Sequence, residues 1–466
     1  MASTRKLNSV NLSGRIGEGI PSLLPPGSSI LVGLSGGVDS VVLLDLLHEL
    51  APHFSWQLAA LHVHHGISPN ADDWANFCTG LCARLGISLR IERVDIAPLR
   101  AHGLEAAARA LRHEAFARQS CDFVALAHHA DDQVETLFLQ LLRGAGVRGA
   151  SAMPVLSKVE GPADTGTHRV VRPLLHSTRD EIVEYAKAHD LQWMEDESNA
   201  DDTYPRNFLR HQLLPKLAEK FPAYRDTLTR STQHFAEAGE LLDDLAKLDA
   251  VNSLPRLQGE RAGGEEGELH LGVAALQGLS LPRAKNLLRY YLYQLGALMP
   301  QSVQLDEMLH QLCGARDDAA VCISFGGWQI RRYRGRIYAL RTLGEFDRNF
   351  VLRWRGEAEL NWPALGSCVS CLRATGQGVS LEKLQRAPVT LRLRQGGEAL
   401  RPSSKASTRT LKNLLQEHRV PPWQRDRLPL LYCGEELVCV PGVAIAAAYQ
   451  CKESEAGILV QMAEAS

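Results

Sequence analysis

The sequence predicts an α/β protein in three parts: an N-terminal domain on a parallel sheet, a mostly helical middle domain and a small α+β C-terminal domain. Three observations carry this. Apolar runs alternate with helix-spaced segments from Ser29 to His189, the alternation stops after Pro215, and short strand-like runs return from about Val389. The chain has 466 residues, 45% hydrophobic and 22% charged. That is globular composition, at roughly 100–200 residues per domain, and it excludes a disordered or fibrous chain.

The elements follow in order. Residues 1–28 read as a polar extension ending in Pro25, Pro26 and Gly27. Ser29–Leu34 is a strand, Val41–Leu50 a helix and Leu58–Val63 a strand. Asp72–Leu85 is a helix whose first acids suit the positive end of its dipole. Leu89–Val94 is a strand, Leu104–Gln119 an Ala- and Leu-rich helix, Phe123–Ala127 a strand and Asp131–Arg143 a helix. A strand near Val170 and a helix over Thr178–His189 extend the series. Such alternation gives a Rossmann-like parallel sheet with helices on both faces. Ser157–His168, polar and Gly-containing, reads as a surface loop.

Beyond Pro215, Leu217–Leu248 is an amphipathic helix and Gly259–Glu268 a linker. Leu281–Leu312 is helical, broken by Gly296 and Pro300. Ala320–Leu340 reads as strands around a Gly326-Gly327 turn. Short strands and a helix over Thr410–His418 follow. The expected domains are 29–216, 217–350 and 389–462.

Charge and composition narrow the function. A net charge of −2 confines any nucleic-acid site to a local patch. Aromatics at 6% argue against a surface built on base stacking. No apolar segment follows Arg5 and Lys6, so no secretory signal is expected. Leu437–Tyr449 is short and broken by Pro441 and Gly442, so no membrane span and a cytoplasmic location are expected. Ten cysteines are too sparse for a disulfide scaffold. Cys368 and Cys371 form a lone CxxC, which favours reduced structural thiols over zinc.

The strongest local signal is Ser35-Gly36-Gly37-Val38-Asp39-Ser40, between a strand and a helix. Glycines let the backbone turn and approach a ligand, and the helix start presents N–H groups to an anion. Ser35 and Ser40 add hydroxyl donors, and Asp39 suits a Mg²⁺ ion on phosphate oxygens. It is neither a Walker A loop nor a GxGxxG loop. The second signal runs from Ala127 to Thr136, closing one strand and opening a helix. Both signals face the crevice at the carboxyl ends of the strands. Asp132 and Glu135, three residues apart, share a helix face and suit a cation such as an ammonium or Mg²⁺. His128 and His129 point to different sides, which disfavours zinc.

The six-residue loop resembles the PP-loop of the N-type ATP pyrophosphatases. Further stretches are similar to the tRNA(Ile)-lysidine synthetase family: His62-Val63-His64-His65-Gly66, Ala108–Arg112, Arg143–Gly146, Trp193–Asn199, Tyr204–Pro215, Arg283–Leu292 with Met299-Pro300, Arg394–Glu398, Leu411-Lys412 and Pro421–Leu431. Two positions depart from it, His64 in place of Asn and His113 in place of Tyr. The resemblance implies an ATP-dependent ligase that joins lysine to C2 of the wobble cytidine in an isoleucine tRNA with a CAU anticodon, releasing AMP and pyrophosphate. It implies that Ser35, Gly36, Gly37, Val38, Asp39 and Ser40 bind ATP, with Mg²⁺ on Asp39. Asp132 and Glu135 bind lysine, and Arg109 joins Asp39, Asp132 and Glu135 in the catalytic set. Arg206, Arg394, Lys405, Arg409, Lys412, Arg419 and Arg425 contact tRNA. Residues 391–430 carry nine basic residues, Arg392, Arg394, Arg401, Lys405, Arg409, Lys412, Arg419, Arg425 and Arg427, against three acids, which suits phosphate contacts. Homodimerisation stays open. So do two alternatives, a tRNA thiolase of the same fold and a tRNA-binding protein without catalysis.

Overall fold

The computed structural model describes residues 12–66, 68, 70–97, 104–160, 167–195, 201–251, 270–316, 319–342, 344–362, 365 and 367–464. The expected linker over 259–268 and residues 196–199 of the Trp193–Asn199 stretch lie outside them. The chain divides into two compact units, 1–241 and 242–466.

The first unit opens with α1 (Leu12–Gly19), followed by β1 (Ser29–Gly33), α2 (Val38–Phe54), β2 (Gln57–His64), α3 (Ala71–Leu85) and β3 (Ser88–Arg93). Then come α4 (Leu104–Ala117), β4 (Phe123–Ala125), α5 (Ala130–Leu142), α6 (Val147–Ala150), β5 (Leu156–Glu160), β6 (Thr167–Val171) and α7 (Arg179–Ala188). The sheet order is β3-β2-β1-β4-β6-β5, parallel except for β5. Side chains alternate across β1, as strand geometry requires. Ile30 and Val32 pack with α1, α2, α3 and α7, while Leu31 faces the opposite cluster with Ala115 and Phe116 of α4.

Two expectations are corrected here. The polar extension is in part a core element: Leu12, Ile16, Ile20 and Leu24 are all buried. Leu12, Ile16 and Ile20 recur every four residues, a helix stripe diluted by the Ser and Gly between them. The expected loop over 157–168 contributes β5 and the start of β6, paired antiparallel from Leu156↔Val171 to Glu160↔Thr167. An edge strand needs only its backbone paired on one side, so apolar side chains are not required.

The unit continues with α8 (Pro205–Phe208), a π turn (Leu209–Leu213), α9 (Leu214–Lys220) and the start of α10 (Tyr224–Val251). The single helix expected over 217–248 is thus two, separated at Phe221.

The second unit holds β7 (His270–Gly272), α11 (Val273–Gln277), α12 (Leu281–Gln294), α13 (Ser302–Gly314), β8 (Cys322–Phe325), β9 (Trp328–Tyr333) and β10 (Arg336–Arg341). α12 and α13 part at the expected Gly296–Pro300 break. The strands form an antiparallel sheet, β7-β10-β9-β8, with Gly326 and Gly327 at positive φ in the hairpin. A two-stranded pair, Ala399–Leu400 with Arg409–Thr410, and two larger sheets follow. One joins Val351–Trp354, Val389–Arg392, Leu430–Cys433, Glu436–Val440 and Ala444–Ile445; the other joins Glu359–Trp362, Ser367–Thr375, Ala456–Glu464 and Val379–Ser380. Strands from Val351 onward therefore complete sheets expected only from Val389. The expected helix near 410–418 is present as Leu411–Glu417.

Candidate functional site

The loop after β1 turns on Gly36, whose φ of 92° favours glycine. Gly37 has φ −74°, open to any residue, and caps α2. Ser40 holds the loop from within. Its hydroxyl donates to the Gly37 carbonyl at 2.9 Å and accepts from the amides of Ser35 and Gly36, each at 3.2 Å. The Ser35 hydroxyl accepts from the Gly37 amide at 3.3 Å. Ser40 is thus a brace of the loop rather than the donor to phosphate expected from sequence, while Ser35 is exposed and lines the cavity. No side chain caps α2, so the N–H groups of its first turn remain for an anion. The Met194 amide donates to the Gly36 carbonyl at 2.9 Å, tying the segment after α7 to the loop.

Asp39 projects from that first turn. Its Oδ1 is buried without a hydrogen-bond partner. Burial raises its pKa above the usual carboxylate value, opposed by the charges of His129, Arg179 and Arg210. A half-buried carboxylate with one oxygen free of hydrogen bonds, 3.8 Å from His129 and beside an anion cradle, fits Mg²⁺ shared with phosphate oxygens and water. Among the described residues no cluster of three His, Cys, Asp or Glu could hold a metal on its own.

α5 brings the second signal to the same place. Asp132 accepts from the His129 amide at 3.1 Å. Burial pushes its pKa up, but His129, Arg206 and His128 outweigh this and hold it below the usual value. Glu135 shares the helix face, as expected, but its environment differs. It is fully buried, with Arg206 Nε 2.8 Å from Oε2 and Arg210 Nε 2.8 Å from Oε1. The expected direct lysine contact through Glu135 is therefore revised: both its oxygens already hold guanidinium groups. Arg206, expected on tRNA, is one of those partners and lines the cavity. Arg210 comes from the π turn and was not anticipated, because no local pattern marks it.

These groups line or border one cavity of about 1050 Å³. Arg112 lines it, whereas Arg109 is exposed and does not. His128 and His65 line it as neutral rings, pushed by burial to about 3 and about 4. His62 is engaged with the Leu34 carbonyl at 2.9 Å, and His64 lies 3.2 Å from Asp72. The thiols of Cys78 and Cys82 are buried and pushed up to about 12 and about 11. Cys368 and Cys371 lie buried in one strand, both as free thiols.

The expected tRNA residues of the second unit divide in two. Arg394 faces Glu398 and Asp426, each at 3.8 Å, and Arg409 pairs with Glu417. Arg425 donates to the Val420 carbonyl and the Tyr333 hydroxyl. Lys405, Lys412 and Arg419 are exposed, with no ion pair among the described residues.

Comparison with known proteins agrees with this layout. A PP-loop domain model matches residues 11–217, a TilS substrate binding domain model residues 271–338, and a TilS substrate C-terminal domain model residues 389–462. A tRNA(Ile)-lysidine synthase from Nitrosomonas europaea is 41% identical, covering 99% of this chain and 97% of its own length. One from Azoarcus is 39% identical over 98% of this chain and 97% of its own, and one from Coxiella burnetii 37% over 94% of each.

Proposed function

The chain belongs to the tRNA(Ile)-lysidine synthase family, and from that premise we propose that it joins lysine to C2 of the wobble cytidine of a CAU-anticodon isoleucine tRNA. The observation that carries the reading at this site is one cavity that holds both a phosphate cradle and an acid–arginine cluster. The C2 oxygen of the cytidine is a poor leaving group. It attacks the α-phosphorus of ATP, the α–β bond breaks and pyrophosphate departs. The amine of lysine then attacks C2, and the oxygen leaves as part of AMP.

The amides of Val38, Asp39 and Ser40 hold the phosphates at the start of α2. Asp39 is the residue that would hold Mg²⁺, and the ion would offset phosphate charge. A free lysine amine has a pKa near 10.4 and arrives as an ammonium. Asp132 binds that ammonium and helps accept its proton. Arg206, which lines the cavity, offers its guanidinium group to the carboxylate of the amino acid, and Arg210 braces the same Glu135 from behind it. Lys405, Lys412 and Arg419 contribute backbone contacts to the tRNA. A thiolase reading finds no support in the thiols beside the loop: Cys78 and Cys82 are buried, protonated and poor sulfur carriers.

ATP labelled at its α-phosphate tests the chemistry. Labelled AMP formed only with lysine and tRNA together supports the ligase. Labelled ADP, or AMP formed with a sulfur donor in place of lysine, contradicts it.

A further inference from the structure

We infer that Arg179 is the cation that binds the β- and γ-phosphates of ATP, and that Asp131 is the positioning residue that holds it there. The inference rests on the ATP-dependent reading above and adds a binding residue to it.

A polyanion needs positive charge, and the loop supplies none. Ser35–Ser40 contains no Lys or Arg, and Asp39 makes it acidic. Beyond the Mg²⁺ proposed on Asp39, a side-chain cation must come from elsewhere in the cavity. Three arginines line it: Arg112, Arg179 and Arg206. Arg206 is committed to Glu135. Arg112 exerts its charge on His62 and His65, at the end of β2. Arg179 instead acts on Asp39, the carboxylate of the phosphate loop. Arg210 also acts on Asp39, but it is bound to Glu135 and does not line the cavity. Arg179 is thus the cavity arginine at the phosphate end that carries no acidic partner among the described residues.

Its position is built from two helices. Arg179 is the first residue of α7, behind Thr178 as N-cap. The Thr178 amide donates to Glu181 at 2.8 Å, and the Glu181 amide donates back to Thr178 Oγ1 at 3.3 Å. The Arg179 amide does not stay in its own helix. It donates to Asp131 Oδ2 at 2.9 Å. The other Asp131 oxygen is held by Arg225 of α10. The Ala130 amide adds a second tie, donating to the Ser177 carbonyl at 2.8 Å. Asp131 therefore fixes the start of α7 against the start of α5, which carries Asp132. Cleavage of the α–β bond builds charge on the departing pyrophosphate. A guanidinium fixed on the β- and γ-phosphate oxygens counters that charge as it forms.

The test compares ligands that do and do not carry those phosphates. Binding of ATP, pyrophosphate and AMP is measured with Mg²⁺ by equilibrium dialysis, without tRNA or lysine. For Arg179→Met, ATP and pyrophosphate should bind about ten- to a hundredfold more weakly, the size of one charge-assisted contact, and AMP should bind as to the wild type. Arg179→Lys keeps the charge but not the fork, so it should recover part of the loss. It also serves as the test should the Met variant fail to fold. Asp131→Asn should raise the KM for ATP and leave the KM for lysine unchanged. Unchanged ATP binding in the Arg179 variants, or equal weakening of AMP, overturns the inference. A wild-type protein that binds ATP but makes no AMP with lysine and tRNA sinks the ligase reading instead, and leaves the binding comparison to decide on Arg179.

Discussion

Glu135 carries two arginines at 2.8 Å, whereas Asp132 meets Arg210 only at 3.6 Å and Arg206 at 4.0 Å. That asymmetry divides the work of the pair. Asp132→Asn should raise the KM for lysine with only a small fall in melting temperature. Glu135→Gln should raise the KM too and lower the melting temperature further, because it strands two guanidinium groups beside a buried amide, at a cost on the order of 3 kcal/mol. Equal melting temperatures for the two variants would contradict this. The histidines make a pH prediction. His128 and His65 have folded values of about 3 and about 4, below the ordinary 6.5, because burial disfavours the charged ring. The unfolded chain therefore binds protons first as pH falls. The stability these neutral rings contribute is whole above about pH 6.5 and is lost progressively toward pH 4 and 3. The melting temperature of His128→Asn should fall less steeply than the wild type between pH 6.5 and 4; parallel curves would exclude His128. At this scale the sequence made legible what a short stretch of chain can encode: the turn at Gly36, the carboxylate of Asp39 and the shared face of Asp132 and Glu135. Arg112, Arg179 and Arg210 were not legible as site residues. Each reaches the site from a different element, and no local pattern distinguishes such an arginine from a solvated one. Ser40 misled for a related reason, since a hydroxyl reads the same whether it faces a ligand or braces its own loop.

Among the elements, α1 and the turn after it have the clearest energetic consequence. Leu24 is fully buried and packs in the core cluster of α2 and α7. Leu24→Ala should cost about 2–5 kcal/mol, the range for emptying a buried leucine site, measured by denaturant unfolding. A loss below about 0.5 kcal/mol, as at an ordinary surface site, would show that the extension is dispensable. The parallel strands and their helices were legible because each buries a periodic apolar face. α1 was not, because Gly14, Gly17 and Gly19 weaken its helix propensity and only packing against α2 and α7 stabilises it. β5 escaped notice because edge pairing is a property of the backbone. The early strands of the last sheets escaped because Val351–Trp354 finds its partner, Val389–Arg392, far along the chain.

For the molecule as a whole, the charge balance conceals the basic run over residues 391–430, and the structure trims the cations available in it. Arg392 pairs with Glu435, Arg394 faces Glu398 and Asp426, and Arg409 pairs with Glu417. Arg401 closes its own loop on the Ala406 carbonyl. Lys405, Lys412 and Arg419 remain exposed and outside these pairs, and they are the cations proposed for phosphate contacts. Changing these three to Ala should weaken tRNA binding and lower the slope of log K against log salt by roughly 0.7–0.9 for each phosphate no longer neutralised. An unchanged slope would reject the patch. A second basic run, Arg331, Arg332 and Arg334, offers less: Arg332 is buried on the Leu312 and Ala315 carbonyls, Arg331 lies over Trp423, and Arg334 donates to the Gln416 carbonyl. The central claim is the ligation of lysine to one tRNA. The most direct measurement incubates the protein with ATP, labelled lysine and total tRNA, then identifies the labelled species. The account predicts label in the isoleucine tRNA that carries a CAU anticodon, with one AMP and one pyrophosphate formed for each lysine joined. Label spread over other tRNAs, or AMP formed while no lysine enters tRNA, would contradict it.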